Sequence, residues 1–215
     1  MESLLAKRKS LLQLNKRAKR MLRPFLLFFT SPLHIGAAIY SNIVLYQSIL
    51  EGEIMQIEKR EQYIITRNTI AVFRLHDPVY QSRVLEADKE ILVEQSPLSI
   101  IDHSCMQYGS SYEGRVHAIG RLLRTDKKVP IPVHPAHGVF MLPTSSPTNT
   151  NCVWLSFYHI QSYKEKKSRT QVSFYNGTAL FVETSERSFD QQYKRTGTVI
   201  ALLNNEHFFM GLSLS

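Results

Sequence analysis

The sequence predicts an α+β fold: a single strand-rich domain with antiparallel hairpins and about two helices, preceded by a non-native or unstructured leader. Three observations carry this reading. Short apolar segments of strand length are bounded by turn residues, most clearly around an Asn-Gly pair. Two stretches repeat apolar residues at helical spacing. The chain of 215 residues is 43% apolar and 20% charged, with aromatics throughout, which excludes wholesale disorder. No fixed period recurs, so collagen-like, coiled-coil and repeat architectures are excluded as well.

The formal net charge of +8 is unevenly placed. Residues 1–23 hold eight basic side chains against Glu2 alone, while Met55–Ser215 holds 18 basic and 15 acidic residues. An uncharged run from Pro24 to Leu50 follows the basic cluster. It reads as a membrane anchor over residues 24–50, or as a cleaved signal with Gly36-Ala37-Ala38 as the small-residue site. Against a span, Pro32, His34, Asn42 and Gln47 interrupt it. A mis-assigned start is the preferred reading of residues 1–54. Glu51-Gly52-Glu53-Ile54-Met55 back-translates into a ribosome-binding signal just ahead of a start codon, making Met55 the initiator. The expected organisation is therefore leader 1–54, domain 55–203 and a divergent, truncated tail 204–215.

Within the domain, Tyr63–Thr66 and Thr69–Leu75 flank Arg67-Asn68, which predicts a hairpin. Asp77-Pro78 breaks the pattern, and Glu90–Glu94 supplies another short strand. Tyr112, Val116, Ile119 and Leu123 recur at helical spacing. Lys127–Ser146 holds four prolines and reads as loop with one extended piece at Gly138–Leu142. Trp154–Ile160 is apolar on both faces, as in a central strand. Gln171–Tyr175 and Thr178–Glu183 flank Asn176-Gly177, the preferred pair for a type I′ turn, and a two-residue loop sets Val172 and Phe174 opposite Phe181 and Ala179. Ser188-x-x-Gln191 resembles a capping box opening a helix whose face runs through Phe189, Tyr193, Thr196, Ile200 and Leu203.

Catalytic signatures are missing: no phosphate loop, dinucleotide fingerprint, nucleophile elbow or His-Glu-x-x-His occurs. Cys105 near His103, or Cys152 with His159, is a conceivable Cys–His nucleophile, but two lone cysteines are better read as small buried residues. His103-x-Cys105, His134-x-x-His137, Cys152 and His159 are zinc-type ligands without a recognised spacing. No enzyme activity, metal or cofactor is expected. Basic residues do cluster locally. Arg115, Arg121, Arg124, Lys127 and Lys128 form one group. Lys164, Lys166, Lys167 and Arg169 form a second, in the connection before the Asn-Gly hairpin, and Arg187, Lys194 and Arg195 a third. Such patches release counterions on binding phosphates whatever the global charge, although each also reads as a solvated surface.

Pro97-Leu98-Ser99-Ile100-Ile101-Asp102-His103-Ser104-Cys105 and Tyr108-Gly109-Ser110-Ser111-Tyr112-Glu113-Gly114-Arg115 together resemble the core of the ComK competence transcription factor family. Pro130–Val133, Phe140–Thr144, Trp154–Ile160, Val172–Gly177 and Ser188–Gln192 resemble it in the same order, covering about Tyr63 to Leu203. The resemblance implies a bacterial activator of DNA-uptake genes that binds double-stranded DNA at paired AT-rich boxes, largely through the minor groove. It further implies homodimers that pair into tetramers on promoters, a proteolysis adaptor as regulatory partner, and a cytoplasmic, nucleoid-associated location. The alternative is a membrane-anchored regulatory or interaction protein using residues 24–50. Arg115, Arg121 and Arg124 lead as DNA contacts, the second group follows, then the third; Arg115 serves equally well as an anchor for the Gly-Ser-Ser-Tyr turn. The leader has no counterpart in the family, and a tail that stops short puts activation, assembly or turnover in doubt.

Overall fold

Strand-forming segments dominate residues 56–160 because β-branched and aromatic side chains recur there at strand length. The computed structural model describes the backbone of residues 56–212 and the side chains of residues 56–204. The leader, the anchor reading and the last three residues lie outside them. Seven strands form one sheet: β1 (Gln56–Arg60), β2 (Thr69–Arg74), β3 (Ser82–Glu86), β4 (Lys89–Val93), β5 (Ile131–His134), β6 (Val139–Pro143) and β7 (Val153–Ser156). Their order is β1-β4-β3-β2-β7-β6-β5, with β1 parallel to β4 and the other pairs antiparallel. A second, three-stranded sheet is the antiparallel series β8 (Ile160–Lys166), β9 (Arg169–Phe174) and β10 (Ala179–Val182). Among the described residues there are also helices α1 (Pro97–Gln107), α2 (Tyr112–Leu123) and α3 (Glu186–Leu212).

Four expectations change. Tyr63–Thr66 is not a strand, because β2 already has β3 and β7 on its two sides. The segment's backbone donors go to side chains instead: Tyr63 N–H to Gln95 Oε1 (2.9 Å) and Ile65 N–H to Ser104 Oγ (2.9 Å). Trp154–Ile160 is not one strand. Its apolar pattern runs through a change of sheet: β7 ends at Ser156, Phe157–His159 makes a single 3₁₀ turn, and Ile160 opens β8. The loop reading of Lys127–Ser146 gives way at Ile131–His134, where β5 accommodates Pro132 because it is the edge strand and one ladder donor is dispensable. The cap of α3 is Ser185, whose Oγ accepts from Ser188 N–H (3.3 Å), so the Ser188-x-x-Gln191 pattern lies inside the helix.

A third helix, α1, joins the two expected from periodicity. Ser96 caps it by accepting from Ser99 N–H, and Pro97 occupies its first turn, where no N–H is needed. The next helix is capped twice. Ser111 Oγ accepts from Gly114 N–H (3.1 Å), and Asp102 of α1 accepts from Tyr112 N–H (2.8 Å), tying the two helices together. At its far end Arg124 takes φ 51, and the chain turns so sharply that a Cβ on Gly120 would lie 2.8 Å from the Thr125 carbonyl.

Two cores follow from this arrangement among the described residues 56–204. Ile100, Ile101 and Cys105 of α1 pack with Val72, Val84, Ile91, Met141 and Trp154, with Tyr112 and Val116 of α2 against them. Phe140 points the other way, into a core with Ile119, Val129 and Val199 that joins α2 and α3. Among the described residues, no helix is long and apolar enough to cross a membrane.

Candidate nucleic-acid interface

The three-stranded sheet owes its two faces to alternation. In β9, Thr170, Val172 and Phe174 are buried while Arg169, Gln171 and Ser173 are half-buried on the other side. Behind the inner face lies α3. Tyr163 meets Phe189 and Tyr193 with ring centroids 4.9 and 5.4 Å apart, and its hydroxyl donates to Asp190 Oδ1 (2.8 Å). Burial and the Asp190 carboxylate together push Tyr163 up to about 12. Lys194, 2.8 Å from the same carboxylate, and the Tyr163 hydroxyl hold Asp190 below its ordinary value.

Turn chemistry decides what reaches the outer face. Lys167 and Ser168, with φ 52 and 64, form the two-residue turn between β8 and β9. The basic connection before the Asn-Gly hairpin is therefore itself a hairpin. At Asn176-Gly177 the reverse holds. Only Gly177 has positive φ (85), and Phe174 exchanges backbone bonds with Gly177 and Thr178, closing a three-residue loop. Asn176 acts through its side chain, accepting from Thr178 N–H (3.1 Å) and donating to the Ala87 carbonyl (3.2 Å). The extra loop residue slips the register by one, so Val172 pairs with Leu180, and Phe181 pairs with Gln171. A one-residue slip turns every side chain over, and Phe181 moves from the expected apolar face to the outer one.

The outer face thereby collects Lys164, Gln171 and Phe181 in one row across the three strands and Lys166 with Arg169 in the next. Lys166 Nζ lies 5.7 Å and Arg169 Cζ 5.2 Å from the Phe181 ring centroid. Arg169 also bridges to Glu183 at 3.2 Å. Lys164, Lys166 and Lys167 are exposed and join no ion pair among the described residues. Gln171 Oε1 is buried without a hydrogen-bond partner among the described residues.

The other two basic groups meet at the junction of α2 and α3. Lys128 Nζ donates to Ser188 Oγ (3.2 Å), and the buried Gln192 amide donates to the Lys128 carbonyl. Arg195 reaches the Lys127 carbonyl at 3.4 Å. Lys128 and Arg195 thus pin the loop to the helix, while Arg121, Arg124 and Lys127 stay exposed. Arg187, Lys194 and Arg195 line a shallow groove with Asp190, Gln191 and Thr198. Arg115 stands apart from all of these. Its guanidinium donates to the Tyr108 carbonyl (3.0 Å) and its Nε is buried, the geometry of a turn anchor. Phe181 and Gln171 escaped sequence reasoning, because the register that exposes them depends on the loop length.

The thiols and imidazoles separate. Cys105 and Cys152 are both buried, and burial pushes Cys105 up to about 11. His103 faces Gln95, whereas His134 and His137 meet with their Nδ1 atoms 3.0 Å apart, the His134 ring stacked on Tyr108 at 3.8 Å. Loss of solvation, followed by His137, Arg115 and Arg67, holds His134 below its ordinary value. One Nδ1 must donate and the other accept, so protonating both rings breaks the pair. The unfolded chain then takes up a proton first as pH falls, so stability declines on acidification through the ordinary histidine value of about 6.5. Thermal melts from pH 7.5 to 5 should show a fall in Tm that His134→Gln reduces; an equal fall in both proteins would refute it.

The model of the family described as ComK protein matches residues 60–207, more than half of the chain. The chain belongs to the ComK family. A curated relative, the competence transcription factor of Bacillus subtilis (strain 168), is 36% identical over 138 residues, covering 63% of this chain and 72% of the relative. No solved structure matches. The ComK segment contains both cores, all three basic groups and the complete three-stranded sheet.

Proposed function

We propose that this ComK-family chain is a competence transcription factor that binds double-stranded DNA through the outer face of the β8–β10 sheet. Lys164 and Lys166, exposed along β8 on a sheet face backed by a helix, carry the reading, together with the similarity to a competence transcription factor. Duplex DNA presents one charge per about 1.7 Å of axis, so a few cations held on a rigid face contribute strongly at low salt without a strongly basic protein. Arg121, Arg124 and Lys127 form a second, flanking contact with Arg187 and Lys194 in this scheme. The finer points follow from the family resemblance: paired AT-rich boxes read largely through the minor groove, whose narrow A-tract form attracts Arg and Lys, and dimers that pair on the promoter. A cytoplasmic, nucleoid-associated location and control by a proteolysis adaptor belong to the same proposal.

Gel shifts of the full chain on a duplex carrying two AT-rich boxes, against a GC-rich duplex of equal length across a salt series, test this. The expected result is a preference for AT boxes of at least about tenfold at physiological salt. A steep salt slope with no AT preference would mean nonspecific phosphate binding only and would sink the site-specific reading.

A further inference from the structure

We propose that Phe181 inserts its ring at a base step of the bound duplex. This rests on the DNA-binding reading above and adds one group to the same face. Phe181 is 40% exposed in the middle of a strand whose inner positions are taken by Leu180 and Val182. It lies on β10, one of the two edge strands of the small sheet, with no further strand beside it among the described residues. Lys166 and Arg169 stand within 5.7 and 5.2 Å of its ring, and Gln171, with its unpartnered Oε1, sits directly across the strand pair.

The chemistry of this group selects the partner. An acidic peptide would satisfy the cations and leave the ring in water. An apolar surface would take the ring and leave Lys164 and Lys166 without a counter-charge. A nucleic-acid duplex offers both, with phosphates at its rim and planar apolar base faces between them. Aromatic and aliphatic side chains that enter a base step unstack it and kink the duplex. The flanking cations would then engage phosphates on either side of the opened step.

The test uses the full chain and a duplex carrying two AT-rich boxes, with 2-aminopurine placed at each box step in turn and a dye pair on the ends. The parent protein should raise 2-aminopurine fluorescence at one step per box and shorten the end-to-end distance. Phe181→Ala should abolish both signals and bind about ten- to a hundredfold more weakly, the range seen when a stacking aromatic is truncated. Phe181→Leu should keep the kink and most of the affinity, because an aliphatic wedge also separates bases. Both variants should melt like the parent, since the ring is exposed; if Phe181→Ala does not fold, Phe181→Leu and Phe181→Lys carry the comparison. Weaker binding by Phe181→Ala with both signals unchanged would overturn the proposal, leaving the ring as a support for the two cations. Unchanged binding by Phe181→Ala, with binding lost in Lys164→Glu/Lys166→Glu, would overturn it while the DNA-binding face stands. If the parent itself binds no duplex, the functional reading fails and takes this proposal with it.

Discussion

Replacing Lys164 and Lys166 together by glutamate is expected to weaken binding to the AT-box duplex by about a hundredfold or more at low salt. Each lysine that neutralises a phosphate contributes about one unit to the log–log salt slope, so the slope should fall by about 2. Reversal goes beyond deletion, because each glutamate also repels the phosphate it faces. Both side chains are exposed and unpaired among the described residues, and surface changes of this kind usually alter stability by within about 0.5 kcal/mol. A thermal melt therefore separates lost binding from lost folding. Arg121→Glu/Lys127→Glu at the α2–α3 junction is the comparison, expected to weaken binding only several-fold. The opposite ranking would move the interface from the small sheet to the helix junction.

Arg83→Ala should be the most damaging stability change, costing about 3–5 kcal/mol. Arg83 on β3 and Glu90 on β4 form an ion pair whose side chains are only 6% and 7% exposed, with Arg83 Nε 2.7 Å from the carboxylate. The guanidinium also lies 5.8 Å from the Phe73 ring centroid. Removing it leaves a carboxylate in an apolar layer with its compensating charge gone. Against a total domain stability of about 5–15 kcal/mol, that is enough to populate the unfolded chain visibly. Replacing both partners, Arg83→Met with Glu90→Leu, should recover most of the loss, because buried pairs often gain little over well-packed apolar residues. Urea unfolding of the two variants decides it. A loss below about 1 kcal/mol in Arg83→Ala would show that water reaches the carboxylate.

These two sites differ in how far the sequence discloses them. The basic cluster before the Asn-Gly hairpin is visible as composition, and so is the hairpin. What composition does not carry is that the cluster itself lies on a strand. Lys164–Lys166 alternates with nothing apolar, and the turn that makes it a hairpin uses Lys167 and Ser168, two residues that rarely adopt positive φ. The buried pair is harder still. Ser82–Glu86 is buried throughout yet carries a serine, an arginine and a glutamate in five positions, so no polarity pattern marks it as a strand. Its charges are tolerable because partners stand beside them, Glu90 of β4 for Arg83 and the Tyr63 hydroxyl with Lys89 for Glu86. Likewise Pro97–Gln107 buries Pro97, Ile100, Ile101, Ser104 and Cys105 on one face, a stripe weakened in the sequence by a proline at its start and a serine within it. The helices at Tyr112 and beyond Ser185 were legible because each carries apolar residues at helical spacing, although the stripe of α2 is shared between the two cores.

By itself, the sequence determined the α+β class, the α2 and α3 faces, the place of the Asn-Gly hairpin and the family resemblance, all properties of local spacing and residue type. The tertiary structure alone decided which side chains share a surface. Strand pairing has a period of two, so one added loop residue at Tyr175–Gly177 carried Phe181 to the outer face beside Lys166 and Arg169. The same structure withdrew Arg115 into the Tyr108 turn and committed Lys128 and Arg195 to holding a loop on α3, because contacts between residues far apart in the chain leave no trace in its local pattern.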